Sequence, residues 1–331
     1  MMSSRNKEIQ KLISMINILS NNRFTFNDQI YGPTISNAGI RGLNVTAAAL
    51  IYDVYHCRKE VPFSPNPDSY TQRDVQDFTS KLSSSNMGTG PWDPGWKVVE
   101  VETDGDILVR KTDLTLRVHS HHFKSISSNA PLVGSVGMIK MVKGFKRLFP
   151  GFYMVNGNTL PPQNQRNDVI LRFYWNIVPR YSSFMVNIIS RDFNNLKIPF
   201  KFKILNDPFL YPRADAGVLY ISKSVYSNSI NLILDVYKRV NRFLYSSTPL
   251  FAKRLAPGLS MAEDPNNGES FGMDRSKTLA DAIFKSHKES SASKVRIHQI
   301  RTYFLKSGID LKYPYLNMGS KDEYDIEIGI G

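Results

Sequence analysis

Two lysines one residue apart, Lys201 and Lys203, stand in the alternating run Phe200-Lys201-Phe202-Lys203-Ile204-Leu205. On a strand, that spacing puts both amines on one face and Phe200 and Phe202 on the other. Like charges this close repel, which lowers the pKa of at least one of them. A lysine held near neutrality can act as a general base, whereas an ordinary one near ~10.4 rarely does. An edge strand studded with solvated lysines would read the same way. Arg213, in Tyr211-Pro-Arg-Ala-Asp-Ala-Gly217, follows on a turn and can reach that face. The run Leu171-Arg172-Phe173-Tyr174-Trp175-Asn176 likewise groups Arg172, Tyr174 and Asn176. That trio offers a cation, a phenol and an amide, all able to donate hydrogen bonds to an anion. Tyr174 reads equally well as a core aromatic with a satisfied hydroxyl.

The segment 249–275 carries the densest chemistry. Lys253, Arg254 and Arg275 stand with Glu263, Asp264, Glu269 and Asp274 among Pro257, Gly258, Pro265, Gly268 and Gly272. Charges at this density stay in water or pair around something, so a plain core element is not expected here. Prolines and glycines fix an irregular path, and rigid loops are where binding concentrates. Guanidinium forks suit planar anions with several oxygens, phosphate above all. A solvated charged loop is the bland alternative.

Other motifs carry less. His119-Ser-His121-His122 is the histidine cluster, but no paired cysteines or HExxH spacing accompany it, so no metal site is expected. His119 remains a candidate proton donor, with an exposed loop as the simpler reading. Gly268-Glu-Ser-Phe-Gly272 matches G-x-S-x-G, yet the residues just before it do not form the buried strand that a nucleophile elbow needs. It reads better as the cap of a following helix whose backbone N–H groups can help hold an anion. Walker, dinucleotide-binding and RNA-recognition motifs are missing.

The elements must position these groups. The chain has 331 residues, 41% apolar, with 42 basic and 29 acidic side chains and a net charge of +13. One cysteine, Cys57, excludes an internal disulfide framework and suits a reducing cytoplasm. No apolar run is long enough to cross a bilayer, and the N-terminus lacks a signal-peptide core. Positive charge favours an anionic partner without choosing among nucleic acid, acidic peptide and phosphorylated substrate. Apolar spacing predicts helices over 7–19, 43–57, from a capping box at Thr71, and over about 181–195, 226–244, 275–288 and 292–306. Residues 83–95 read as a connector. Strands are expected at 96–103, 107–111, 114–119, 151–156, 169–177, 198–205 and 218–222. The fold class is α+β: a mostly antiparallel sheet flanked by helices, with a helical N-terminal region at 1–90 and an α+β region at 91–331 forming one compact unit with it.

With those residues in view, PGFYMVNG (150–157), RFYWN (172–176), IPFKFKIL (198–205), YPRADAGVLYI (211–221), the block 253–275 and PYLN (314–317) resemble the Hop-type effector-like family. The resemblance runs from about 96 to 320 in the same order. It implies a domain shared with a type III effector and encoded beside a phosphotransferase-like kinase in class V lanthipeptide and thioamitide clusters. The implied activity is a lyase that removes phosphate from phosphoserine or phosphothreonine in a Ser/Thr-rich precursor peptide, leaving dehydroalanine or dehydrobutyrine. A fainter likeness to phosphothreonine lyases, with their K-x-H strand, lysine base, phosphate-binding arginine and tyrosine, implies roles by position. Arg172-Phe-Tyr174 falls on K-x-H, Lys203 (or Lys201) on the base, Arg213 on the arginine and Tyr220 on the tyrosine. Tyr174 then stands where a proton-donating histidine belongs. The acid is therefore Tyr174, a residue from elsewhere such as His119, or no acid at all, the arginines neutralising the departing charge.

The chemistry suits the charge. Elimination must take a weakly acidic α-proton and expel a phosphate of about −1.5 to −2. Arg172, Arg213, Tyr220, Lys253, Arg254, Arg275, Asn176 and Glu269 form the expected phosphate and substrate contacts around Lys203, in one pocket. No cofactor and no metal are called for. Nucleic acid and membrane are not expected partners. The competing reading is a non-catalytic effector or a module that binds a phosphopeptide or leader peptide.

Overall fold

The computed structural model describes residues 4–33, 39–60, 72–126, 130–162, 168–289 and 293–325. Helix α1 (Ser4–Met15) runs into a small sheet of β1 (Ile16–Ser20), β2 (Arg23–Phe26) and β3 (Gln29–Tyr31). Helix α2 (Gly39–Ile51) widens into a π-turn over Tyr52–His56, and α3 (Gln72–Ser85) follows. A five-stranded sheet comprises β4 (Trp92–Val101), β5 (Asp106–Lys111), β6 (Leu114–His119), β7 (Phe123–Ser125) and β8 (Val136–Lys140), in the order β6-β5-β4-β8-β7.

The main sheet uses β9 (Gly144–Phe149), β10 (Phe152–Asn156), β11 (Ile170–Trp175), β12 (Lys201–Leu205), β13 (Gly217–Ser222), β14 (Lys253–Ala256) and β15 (Leu259–Glu263). Its order is β14-β15-β11-β13-β12-β10-β9, and every pairing is antiparallel. Helices α4 (Ser182–Asn195), α5 (Tyr226–Val240), α6 (Phe271–Glu289) and α7 (Ser293–Lys306) complete the described elements. The expected α+β fold is therefore what forms, with antiparallel sheets and helices at the N-terminus. Among the described residues no helix is long and apolar enough to cross a membrane.

Register decides what each face of the main sheet carries. Lys201 pairs with Tyr220, Tyr220 with Arg172, and Arg172 with Ala262. One step along, Lys203, Val218, Tyr174 and Ser260 form the next row. Cross-strand partners share a face and side chains alternate, so both rows lie on the same side. The opposite side is apolar: Phe202, Ile204, Leu219, Ile221 and Phe173 are buried, and Phe173 stacks on Tyr226 at the start of α5. The polar side is capped by the π-turn and the start of α6, where Tyr174 meets His56 and Phe271. One continuous core joins α1, α2, the main sheet and α6, while Trp96, Val98, Ile107, Val109, Phe123 and Ile139 make a separate small core in the five-stranded sheet.

Several expectations are corrected. Helix 7–19 ends at Met15, because Ile16, Asn17 and Ile18 pair with Phe26, Thr25 and Phe24 instead. Strands β8 and β9, broken by glycines and lysines, carry no clear alternation and were not expected. The helix over 43–57 does not stay regular to its end. Thr71 lies outside the described residues. The largest departure is 249–275, which is no open loop. Residues 253–263 form a hairpin turning at Pro257-Gly258, and all five residues of β15 are buried.

The buried charge on β15 explains how such a segment enters the core. Glu263 is fully buried, and its oxygens accept from the Tyr324 hydroxyl (2.6 Å) and the Asn317 backbone N–H (2.8 Å), with the Lys223 ammonium 3.5 Å away. Composition reported the charge but not these partners, which lie far away in the sequence. Glu263→Ala leaves the Tyr324 hydroxyl buried without its acceptor, so we expect a loss of about 2–4 kcal/mol in urea unfolding. A change near zero would show that the carboxylate is not holding the C-terminal segment.

Candidate functional site

The two polar rows open into a cavity of about 910 Å³. Lys201, Lys203, Tyr220 and Arg172 come to it from three adjacent strands, and Asp264, Gly268, Glu269 and Ser270 line the side formed by the approach to α6. Met154, Phe145, Leu148, Leu160 and Phe200 add an apolar wall, and Pro91, Asp93 and Met141 reach in from the other sheet and its flank. The cavity thus has a cationic floor, an apolar side and a helix start.

Arg172 is held in place. It is 9% exposed, donates from Nε to Asp264 Oδ2 (2.6 Å), and reaches the Glu269 carbonyl from Nη2 at 3.3 Å. Its guanidinium also lies over the Tyr220 ring, 5.4 Å from the centroid. Burial opposes its charge, but Tyr174, Tyr220 and the bonded Asp264 carboxylate together hold its pKa above the ordinary value. Asp264 is itself fixed by accepting from the Asn266 N–H (2.9 Å). Gly268, at φ +82°, supplies the left-handed turn that brings the chain round to Ser270. The Ser270 hydroxyl accepts from the Met273 N–H (3.3 Å), so Gly268–Gly272 does open a helix, starting at Phe271. The positive end of that helix meets the cavity wall.

Beside this floor, on the same face of the sheet, lies a second and largely buried layer. Arg213 binds Asp215 with two parallel hydrogen bonds of 2.8 Å and the Tyr52 hydroxyl at 3.1 Å. Asp215 is 4% exposed and also has His56 Nε2 at 3.6 Å. Burial alone would raise its pKa, but Arg213 and His56 hold the carboxylate well below its usual range. His56 is pushed down to about 4, first by burial, with Arg213, Arg172 and Lys203 adding to it against Asp215. Its ring stacks on Tyr52 and stands edge-on to Tyr174. Among the described residues, neither the buried Tyr174 hydroxyl nor the buried His56 Nδ1 has a partner in hydrogen-bond geometry, Arg172 being the cation nearest in effect to the phenol.

Lys203 joins the two layers. Its ammonium lies 4.1 Å from the Phe152 ring centroid, and its pKa falls to about 8. Burial is the main cause; Asp215 opposes it, and Arg172 and Arg213 deepen it. The shift therefore does not come chiefly from Lys201, the neighbour that the sequence suggested. Lys201 is exposed at the cavity.

The remaining expected site residues stand elsewhere. Lys253 is bound to Asp322 and Asp325, and Arg254 is exposed on the edge strand β14. Arg275, 2% exposed, donates to the carbonyls of Pro314 (2.8 Å) and Leu316 (3.2 Å) and pairs with Asp274, clasping the C-terminal segment to α6. Asn176 donates to the Ser247 carbonyl and hydroxyl, pinning the end of β11. His119 is on the edge strand β6 against Asp106, its side chain 64% exposed, and it does not line the cavity. Glu269 lines the cavity, but its carboxylate is taken by Lys277. Tyr174 lies in the next row along the same face, covered by His56 and Phe271, and does not line the cavity. Among the described residues, the cluster with metal-ligand types in reach is Glu102, Asp104 and Asp106, and Arg117 already bridges those carboxylates.

The sequence profile of the HopA1 effector protein family matches residues 145–316, slightly more than half of the chain and nearly all of the main sheet. The chain belongs to the HopA1 effector protein family. An effector protein from Pseudomonas syringae pv. tomato strain DC3000 aligns over 95% of this chain and 96% of its own, at 15% identity and a TM-score of 0.47. One from Pseudomonas syringae pv. syringae strain 61 covers 77% and 85%, at 12% identity and 0.40. Likeness at these levels says nothing about individual residues. No curated protein matches the sequence.

Sequence reasoning missed His56, Tyr52, Asp215 and Asp264 as parts of this site. One signal was available: Tyr52-Asp-Val-Tyr-His56 places two aromatics and a histidine at the end of an otherwise aliphatic helix. Another lies in Gly272, where a Cβ would come within 2.4 Å of His56 Cγ, so the glycine is needed for the ring to fit.

His56 gives a pH test. Its folded pKa lies below the ordinary histidine value of 6.5, so the unfolded chain takes up the proton first, and stability falls as pH drops from about 6.5 towards 4. Wild type is expected to lose roughly 2–3 kcal/mol more than His56→Gln between neutral pH and about pH 4.5 in urea titrations. Equal losses would mean that His56 is not held neutral in the buried layer.

Proposed function

We propose that this chain is a phosphoserine/phosphothreonine lyase, acting on a peptide phosphorylated by a partner kinase, in the lanthipeptide-type biosynthesis that its family resemblance suggests. One observation carries the reading: Lys203, Arg172, Lys201 and Tyr220 face one cavity from three adjacent strands, with Lys203 drawn down to about 8. A phosphate dianion seated against Arg172, Lys201 and the α6 start has a cation or dipole on each side. Neutral Lys203 takes the α-proton. The C–H electron pair becomes the Cα=Cβ bond, the Cβ–O bond breaks, and its electron pair leaves on phosphate. Tyr220, the tyrosine lining the cavity, supplies the proton that makes the product hydrogen phosphate. Its pKa is pushed up to about 12 by burial, with Arg172 pulling it back, so it is protonated at the start of each turnover.

The second layer is electrostatic in role. Arg213 and Asp215 cancel one another near the amine, and Tyr52 and His56 keep water from that side. Arg213 is thereby assigned to tuning Lys203 rather than to gripping phosphate directly. Lys253, Arg254, Arg275 and His119 have no part in the step.

Incubation of a phosphoserine or phosphothreonine peptide with the protein, followed by mass spectrometry, is expected to show loss of phosphoric acid. Lys203→Ala should lower kcat by about 10²–10⁴-fold, while Lys201→Ala chiefly raises KM. In wild type, kcat/KM should rise with unit slope and level off above about pH 8, as the free amine forms. Full activity of Lys203→Ala would remove the assignment of the base. A bound phosphopeptide of unchanged mass would make the protein a binding module instead.

A further inference from the structure

A second cleft of about 700 Å³ lies between α1, α7 and the segment 310–315, apart from the residues of the cavity described above. Its two walls are matched ridges. On α1, Arg5, Ile9 and Ile13 follow one another every four residues, and on α7 Ile297, Arg301 and Leu305 do the same. Leu311, Tyr313 and Tyr315 complete its floor and end. Rows of this spacing are the i±4 ridges that pack against the grooves of another helix.

Its charge is one-sided. The lining holds Arg5, Arg301 and Lys312 against a single carboxylate, Asp310. Arg5 sits over the Tyr315 ring, 5.2 Å from its centroid, within the field of Asp322 and Glu8. Burial nonetheless drives its pKa down, so a further anion nearby would be favourable. Arg301 is exposed and Leu305 is 61% exposed, an apolar side chain in a cleft that Arg301 and Lys312 also line.

We propose that this cleft docks an acidic amphipathic helix, its apolar face on Ile297, Leu305 and Leu311 and its carboxylates on Arg5, Arg301 and Lys312. Helix-in-groove recognition uses anchors at i, i+3, i+4 and i+7, which the ridge spacing here accepts. Resting on the lyase reading, this helix is the part of the peptide substrate remote from the phosphorylated residue. The binding itself does not need that reading.

The test uses the full chain and a fluorescent peptide of about 20 residues, leucines at helical i, i+3, i+4 and i+7 positions and glutamates elsewhere. Anisotropy should show saturable binding, weakened about tenfold or more by Arg301→Glu and by Leu305→Asp. A peptide of the same composition in scrambled order, and one with lysine for glutamate, should bind at least about tenfold more weakly. Equal affinity for patterned and scrambled peptides, or indifference to both substitutions, would overturn the proposal. So would a dimer in sedimentation that Leu305→Asp dissociates, since the occupant would then be a second copy. Neither variant should alter elimination from a short phosphopeptide. Peptide binding without elimination would sink the lyase reading alone, and elimination without peptide binding would sink the groove alone.

Discussion

The pairing of Arg213 with Asp215 is the interaction on which the rest of this site depends. Two hydrogen bonds of 2.8 Å hold both groups in a buried layer on the polar side of the sheet, beside the cavity. A carboxylate buried alone would draw Lys203 back towards its ordinary pKa, and a guanidinium buried alone would be prohibitively costly. Paired, they let burial act on Lys203 with only a modest electrostatic correction. The neighbouring pair of Arg172 and Asp264 repeats the device at the cavity surface, where one face of the guanidinium lies against Tyr220.

This arrangement ties the N-terminal region to the chemistry of the family-matched sheet. The π-turn Tyr52–His56 lies outside the matched residues 145–316, yet it closes the buried layer. It is bound in place by backbone hydrogen bonds from Ala214 to the Cys57 carbonyl and from Leu250 to the Tyr55 carbonyl. Gly272 lets α6 approach the His56 ring from the other side. These contacts enclose the surroundings of Lys203, whose lowered pKa comes first from burial.

Much of this was legible in the sequence, for definable reasons. Alternation located the strands that carry Arg172, Lys203 and Tyr220, because a period of two follows directly from the pleat. Cross-strand register was not legible, so nothing in the sequence showed that Lys201, Tyr220 and Arg172 fall in one row. Dense charge in 249–275 suggested a loop, since Glu263 meets Tyr324 and Arg275 meets the 314–316 carbonyls only after folding. For the same reason Lys253 and Arg275 looked like phosphate ligands when they are clasps for the C-terminal segment. His56 was marked only by the aromatic end of its helix, Tyr52–His56, a pattern that matches no catalytic or metal-binding motif.

The fold makes one amine, Lys203, markedly less basic than a solvated lysine. The direct measurement is an NMR titration of lysine ¹³Cε resonances, with Lys203 assigned by its absence from a Lys203→Arg sample. A midpoint of about 8 for Lys203 is the expected result. A midpoint near the ordinary ~10.4 of a solvated lysine would contradict the account.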